Sequence, residues 1–475
     1  MKKHLISILL FFIAFIIFSY KLPQSISFEG DLARDLYEIE KISLGDFTLL
    51  GPKSSFGGIY TTPYYYYLFV PAFVLSGKNI NGVIFFNALL FSLTVSLFYL
   101  LLSSKYKKHH IILIPIVLML LPFFIFSARN PGNGFSHIPF FILFLVLLYF
   151  SKTQELNTIQ SLFLGFLFGF IISMQFSYIP LVIPILFLLL LIFKNKKIFI
   201  SFILGISLSL IPLLVFEIKN DFIMIKNTFI NKSYLSFVEN KNLPNGVQLN
   251  KNIFANALFL QKQMSNYLNM NPFLIILFIL FSSFFTKNKK LKLLNANVVF
   301  SFLLLVYFLR FQYSFHYLFP FLTLLTFVFL INLAELNFGK LILPLILVLL
   351  ILDFPKHYYN NAQRQYNAVN TRINKILDQN WINKNDKLNV LLIRKDNAPT
   401  PAGFEYRFFL LKNGFNINDQ FSYNTSNKLI IISEKQDLNL DKIKNWELTE
   451  FGLEKTKSIK SIKLDKEVTA YVLEK

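Results

Sequence analysis

Apolar runs of roughly 15–20 residues recur along this chain from its N-terminus to about Asp353, each long enough to cross about 30 Å of hydrocarbon as a helix. They lie near residues 5–19, 83–103, 111–127, 137–151, 159–175, 178–193, 198–216, 271–286, 293–309, 317–334 and 341–354. The spacing predicts an α-helical polytopic membrane protein with about eleven transmembrane helices. A composition that is 54% hydrophobic, with 58 Phe in 475 residues, excludes an ordinary soluble domain.

The formal charge of +21 invites a nucleic-acid reading, but its distribution argues for topology instead. With the N-terminus inside, the short cytoplasmic segments collect Lys2, Lys3, Lys105, Lys107, Lys108, Lys152, Lys194, Lys196, Lys197, Lys287, Lys289, Lys290, Lys292 and Lys340, whereas the short outer loops hold only Arg129 and Arg310. That is the positive-inside bias, and it predicts no nucleic-acid partner. Met1 to Tyr20 has the lysines and apolar core of a signal peptide but no small-residue cleavage site after it, so an uncleaved first span is expected. The absence of cysteine excludes disulfides, thiolate metal sites and cysteine nucleophiles.

This orientation puts three long segments outside: a first loop over 20–82, a loop over 217–269 and a tail over 355–475. Residues 1–354 then form a membrane domain and the tail an extracytoplasmic α/β domain. In the tail, Val390–Ile393, Leu429–Ile432 and Val468–Leu473 predict strands, and Ala362–Leu377 a helix. In the first loop, Leu32, Leu36, Ile39 and Ile42 have helical spacing, suited to an interfacial helix with Arg34, Asp35, Glu38 and Lys41 towards water. Gly51 to Gly58 reads as a turn-rich loop, followed by Tyr64, Tyr65, Tyr66 and Tyr67. Consecutive tyrosines there fit either an aromatic belt or a wall for a sugar or lipid headgroup.

Charge at a bilayer boundary has a solvation cost, which singles out Phe28-Glu29-Gly30-Asp31-Leu32-Ala33-Arg34-Asp35 just outside the first span. A carboxylate there suits a general base, with Asp31 first and Glu29 second. Either also suits a hard divalent cation such as magnesium or manganese, and the plain alternative is a helix N-cap. Lys53, Arg34, Arg129, Arg310 and His316 lie on the same side and suit a phosphate, or else snorkel singly to the interface. No P-loop, G-x-S-x-G or H-E-x-x-H motif is present, so ATP hydrolysis and common hydrolase designs lack support.

Taken together, Gly30-Asp31-Leu32-Ala33-Arg34-Asp35, Leu44-Gly45-Asp46, Gly51-Pro52-Lys53, Pro63-Tyr64-Tyr65-Tyr66, Arg129-Asn130-Pro131, His316 to Pro320 and Ala402 to Phe408 resemble the GT-C class of polytopic membrane glycosyltransferases. The closest branch is the glycosyltransferase family 39 or aminoarabinose-transferase-like group, related to the protein O-mannosyltransferases. The resemblance covers about residues 1–355 well and the tail weakly. It departs at Gly30, which separates two acidic residues that are adjacent in many members. It implies a hexosyl- or pentosyltransferase at the outer face of the plasma membrane, taking sugar from a polyprenyl-phosphate donor with inversion to a lipid, glycan or protein acceptor. It also implies Asp31 as the base or base-orienting carboxylate, and outer-loop cations as the phosphate site. A transporter or flippase for lipid-linked sugars is the competing reading; it would place ionisable groups at mid-membrane, where these spans carry almost none.

Overall fold

In the computed structural model, the described residues are 2–54, 58–151, 156–193, 195–232, 252–308, 315–336, 339–395, 402–435 and 445–475. Among them, four helices are long and apolar enough to cross a membrane: Lys2–Ser25, Ile80–Lys105, Lys289–Tyr307 and Phe315–Glu335. Four further candidates are pairs bent at a short break: His109–Leu120 with Pro122–Arg129 (58°), Thr158–Met174 with Phe176–Ile192 (114°), Lys196–Ser209 with Ile211–Lys219 (55°) and Ile253–Leu268 with Pro272–Phe285 (91°). Tyr64–Leu75, Ile138–Phe150 and Gly339–Leu352 are shorter apolar helices. The chain is a multi-pass membrane protein.

Proline explains two of the bends. Pro122 and Pro272 each open the second helix of a pair, where a missing N–H costs nothing, and each disfavours helical backbone in the residue before it. Leu121 accordingly takes an extended conformation, which breaks the run expected over 111–127. Two helices also occupy stretches expected as outer loop, Tyr64–Leu75 and Ile253–Leu268.

The chain divides into two compact units. The first comprises residues 1–22, 48–72 and 81–359. At its heart is the helix Phe319–Glu335, buried at every position from Phe319 to Ala334. A helix apolar all round is stable only when neighbours surround it, and it packs against Ile138–Phe150, Pro272–Phe285, Lys289–Phe308 and Gly339–Leu352. Lys108 caps its C-terminal end by donating to the carbonyls of Ala334 (3.1 Å) and Glu335 (2.8 Å), so part of the lysine excess serves helix termini.

Small residues join Thr158–Met174 to Lys196–Ser209. A Cβ at Gly165 would lie 1.9 Å from the Phe202 carbonyl oxygen, and one at Gly205 would lie 2.1 Å from that of Leu162. Ser161 donates across the same seam to the Ile198 carbonyl at 2.6 Å. In lipid such close backbone approach replaces the hydrophobic effect as the source of helix association. Gly165→Ala and Gly205→Ala should therefore each destabilise the purified protein by about 1–3 kcal/mol through overpacking. Thermal unfolding in detergent checks this, with outward-facing Leu204→Ala expected to match the unsubstituted chain.

The second unit comprises residues 23–47, 73–80 and 360–475. It holds a four-stranded sheet of order β1-β2-β4-β3, with β1 Leu388–Ile393, β2 Lys428–Ser433, β3 Ser458–Lys463 and β4 Thr469–Glu474. β1 and β2 are parallel and the other pairs antiparallel. The helix Phe404–Lys412 lies between the two parallel strands in the chain, as a β-α-β connection requires. Leu391, Tyr423, Leu429, Ile431, Leu448, Phe451 and Leu473 form a core.

The first-loop helix runs Gly30–Ser43 and belongs to this unit, packed on Phe404–Lys412. The expected helix is present, but its surroundings differ from the expectation. Ala33, Leu36, Ile39 and Ile42 face protein, and two carboxylates expected towards water or left unremarked, Asp35 and Glu40, are buried with them. The unit's core takes up the apolar stripe, and Asp35 goes with it because Arg34 supplies its counter-charge.

Candidate active site

The chain reaches the first-loop helix in extended form and turns sharply at Gly30, whose φ of +54° suits glycine. The turn separates the fates of the two flanking acids. Glu29 occupies the N-cap position, yet its carboxylate makes no bond to the helix amides. Instead Oε2 accepts from Arg364 Nη1 (2.9 Å) and Arg394 Nη1 (2.7 Å), and Oε1 accepts from Ser27 Oγ (2.7 Å). Asp31, in the first helical turn, keeps 75% of its side chain exposed.

Arg34 holds both neighbouring acids. Its Nη1 donates to Asp31 Oδ1 at 2.7 Å, while Nε and Nη2 donate to Asp35 Oδ1 at 3.0 and 2.7 Å. Asp35 is fully buried. Expected as a phosphate ligand, Arg34 is thus committed within its own helix, and Asp31 emerges as an accessible carboxylate with a fixed orientation. Such a group can accept a proton from an approaching hydroxyl. Glu29 is spent on two arginines, and among the described residues no three His, Asp or Glu side chains gather as metal ligands.

Behind Glu29 the charges form a cluster. Arg364 grips Glu434 through Nε (2.8 Å) and Nη2 (2.5 Å), the paired geometry that guanidinium and carboxylate favour. Glu405 lies buried close by, with Oε1 lacking a hydrogen-bond partner. Burial pushes its carboxyl up to about 7; the charge of Glu29 adds to the effect, and Arg364 and Arg394 oppose it. A carboxyl raised in the folded state favours folding below its unfolded value and loses that advantage as pH rises through the folded value. The second unit should accordingly lose on the order of 2–3 kcal/mol between about pH 4.5 and 7 from this group, and Glu405→Gln should remove that slope. Both tryptophans of the chain, Trp381 and Trp446, lie in this unit. Denaturation followed by tryptophan fluorescence at several pH values therefore reads the difference.

The remaining expected site residues belong to the first unit. Lys53 is exposed, in an isolated bridge with Tyr60. Tyr64 leans on Phe170, with ring centroids 5.3 Å apart. Tyr65, expected in a ligand-facing wall, is instead fully buried, with its hydroxyl donating to the Pro131 carbonyl. It braces the Asn130-Pro131 turn. Arg129, expected at a phosphate, is also buried and occupied. It donates to the carbonyls of Phe18 and Tyr20, both at 2.9 Å, and stacks on the Tyr359 ring at 4.1 Å. The carbonyls at a helix C-terminus lack intrahelical donors, and Arg129 supplies them at the end of the first span. His316 is half-buried beside Gly134, and Arg310 lies outside the described residues.

Several structural partners escape sequence reasoning. Asn87 donates to the carbonyls of Ser127 and Ala128, both at 2.9 Å, and accepts from Ser136 at 3.0 Å. His137 is held between the Gly134 carbonyl (2.9 Å) and the Tyr178 hydroxyl (2.7 Å). An asparagine within an apolar span is itself a signal that could have flagged Asn87. Arg364 and Arg394 offered none, standing 335 and 365 positions from Glu29.

No family model matches this chain, and no curated protein matches it. Among solved structures, the chain is similar to ArnT from Cupriavidus metallidurans bound to undecaprenyl phosphate, with a TM-score of 0.63 and 10% identity over 98% of this chain and 97% of that one. It is similar to the same protein in the apo state at a TM-score of 0.63 and 12% identity, with the same coverage. At that identity the likeness concerns the fold, and the fold is ArnT-like, of the GT-C kind.

Proposed function

We propose that this protein is a membrane glycosyltransferase that takes a sugar from a polyprenyl-phosphate donor. The observation that carries the reading is Asp31, an accessible carboxylate fixed by Arg34 at the start of the first-loop helix, on a fold like that of ArnT, whose crystal structure holds undecaprenyl phosphate. A hexosyl- or pentosyltransferase of this kind needs a base for the acceptor hydroxyl and cationic or polar groups for the leaving phosphate.

In the proposed step, the acceptor hydroxyl gives its proton to an Asp31 carboxylate oxygen as its own oxygen attacks the anomeric carbon. The bond from that carbon to the phosphate oxygen breaks, polyprenyl phosphate leaves with the electron pair, and attack from the opposite face inverts the centre. Arg34 keeps the carboxylate aimed. On sequence grounds alone, Lys53, His316, Tyr64 and Arg310 are the candidates for the phosphate and the sugar. Arg129 and Tyr65 are assigned to structure. The lysine distribution supports a site on the extracytoplasmic face of the plasma membrane. The acceptor is a lipid, glycan or protein at that face.

Deleting the gene and comparing surface glycans and lipids by mass spectrometry tests the reading. A glycan or lipid that lacks one sugar residue, restored by the intact gene and not by an Asp31→Asn copy, is the expected result. An unchanged profile under conditions that express the protein contradicts it.

A further inference from the structure

Residues far along the chain fix the approach to the first-loop helix by several bonds, all within the second unit. The Phe28 amide donates to the Arg364 carbonyl at 2.7 Å, and the Ala362 amide to the Gln24 carbonyl at 2.9 Å. Glu29 then accepts from the Arg364 and Arg394 guanidinium groups. Arg394 directly follows β1 and Glu434 directly follows β2, so this clamp is built at the carboxyl ends of two adjacent parallel strands. Arg364 is itself held in place by the paired bonds from Glu434.

The position of Glu29 gives this arrangement its meaning. An acceptor at an N-cap ordinarily bonds the free amides of the first turn, but Glu29 leaves them and turns to the arginines. Two residues on, Asp31 projects to solvent from the first turn. Gly30 alone separates the held Glu29 from that turn. Glycine has little torsional resistance of its own, so the clamp must supply the stiffness.

We propose that Arg364 and Arg394 are positioning residues for Asp31. By fixing Glu29 they set the angle at which the first helical turn presents its carboxylate, which makes the polar C-terminal unit a working part of the transfer site. The proposal rests on the reading of Asp31 as the base. It also gives Glu29 a role distinct from catalysis.

Glu29→Gln and Arg394→Gln in the full-length protein, reconstituted in nanodiscs, test the proposal through two readouts. The first needs no sugar: hydrogen exchange at the amides of residues 34–38, which close the first turn, should quicken about tenfold or more through local opening. The helix Phe404–Lys412 should exchange as before, and tryptophan fluorescence should report a folded unit. The second is steady-state transfer: kcat should fall by about 10–100-fold, as expected of a misplaced group. The donor KM should stay within about twofold, and the acid limb of the pH profile should stay in place because Asp31 remains the base. Arg394→Lys should recover part of both readouts.

Wild-type exchange in both Gln variants would overturn the proposal whatever the activity. Loss of the acid limb in Glu29→Gln would overturn it too, by making Glu29 the base. If the unsubstituted protein consumes no polyprenyl-phosphate sugar, the transfer reading fails, while the exchange data still decide whether the two arginines hold the helix.

Discussion

Asp31→Asn should lower kcat for sugar transfer by about 10²–10⁴-fold, the usual cost of removing a general base. Asparagine is nearly isosteric, and its carbonyl oxygen can still accept from Arg34 Nη1, the bond that now measures 2.7 Å. The orientation therefore survives and only the basicity is lost. Because the side chain is largely exposed, the fold should be indifferent to the change. Asp35→Asn makes the contrast. That carboxylate is fully buried against the Arg34 guanidinium, so its loss leaves a poorly compensated charge beside the core. Asp35→Asn should reduce stability as well as activity; Asp31→Asn should reduce activity alone. Kinetics and tryptophan-detected unfolding on the same preparations separate the two.

Arg407→Met should destabilise the second unit by about 3–5 kcal/mol, the scale expected when a buried charged group that satisfies several partners is removed. Arg407 is among the largest fully buried side chains of the chain. It donates to the carbonyls of Ala402 (2.5 Å) and Asn418 (2.7 Å), and to the Asn389 side chain. These groups belong to the approach to the helix Phe404–Lys412, to β1, and to the segment between that helix and β2. Methionine fills most of the volume and satisfies none of them, so two part-buried carbonyls and the buried Asn389 side chain lose this donor. The effect should be visible without activity, since Trp446 packs edge-on to Tyr423, which lies beside Arg407. A urea midpoint close to that of the unsubstituted protein would mean that water or local rearrangement satisfies these acceptors.

Much of the fold is legible in the sequence because a membrane span advertises itself by length and hydrophobicity, and a buried strand by a run such as Leu429–Ile432. What escaped has identifiable causes. β3, Ser458–Lys463, is an edge strand whose lysines and serines show the polar character that protects sheet edges, so it lacks an apolar signal. The helix Tyr64–Leu75 was hidden because it is too short to announce a span. Burial of Asp35 and Glu40 contradicts the simple rule that charges mark the wet face, and depends on Arg34 and Lys78, the latter 3.3 Å from Glu40.

Within the candidate site, sequence alone ranked Asp31 first and put Glu29 beside it. Two carboxylates separated by one glycine look equivalent on paper. A left-handed turn at Gly30 and two arginines hundreds of residues away make them different groups. Likewise Arg129 looked available because a surface arginine and a helix-capping arginine have the same letter; only the carbonyls of Phe18 and Tyr20 distinguish them.

The most direct measurement is to reconstitute the purified protein with a polyprenyl-phosphate sugar and extracted envelope acceptors, and to follow the release of free polyprenyl phosphate. The expected result is one polyprenyl phosphate formed per sugar transferred, an inverted anomeric linkage in the product, and near-complete loss of release in Asp31→Asn despite normal folding. Release at an undiminished rate by Asp31→Asn, or a product that retains the donor's anomeric configuration, would contradict it.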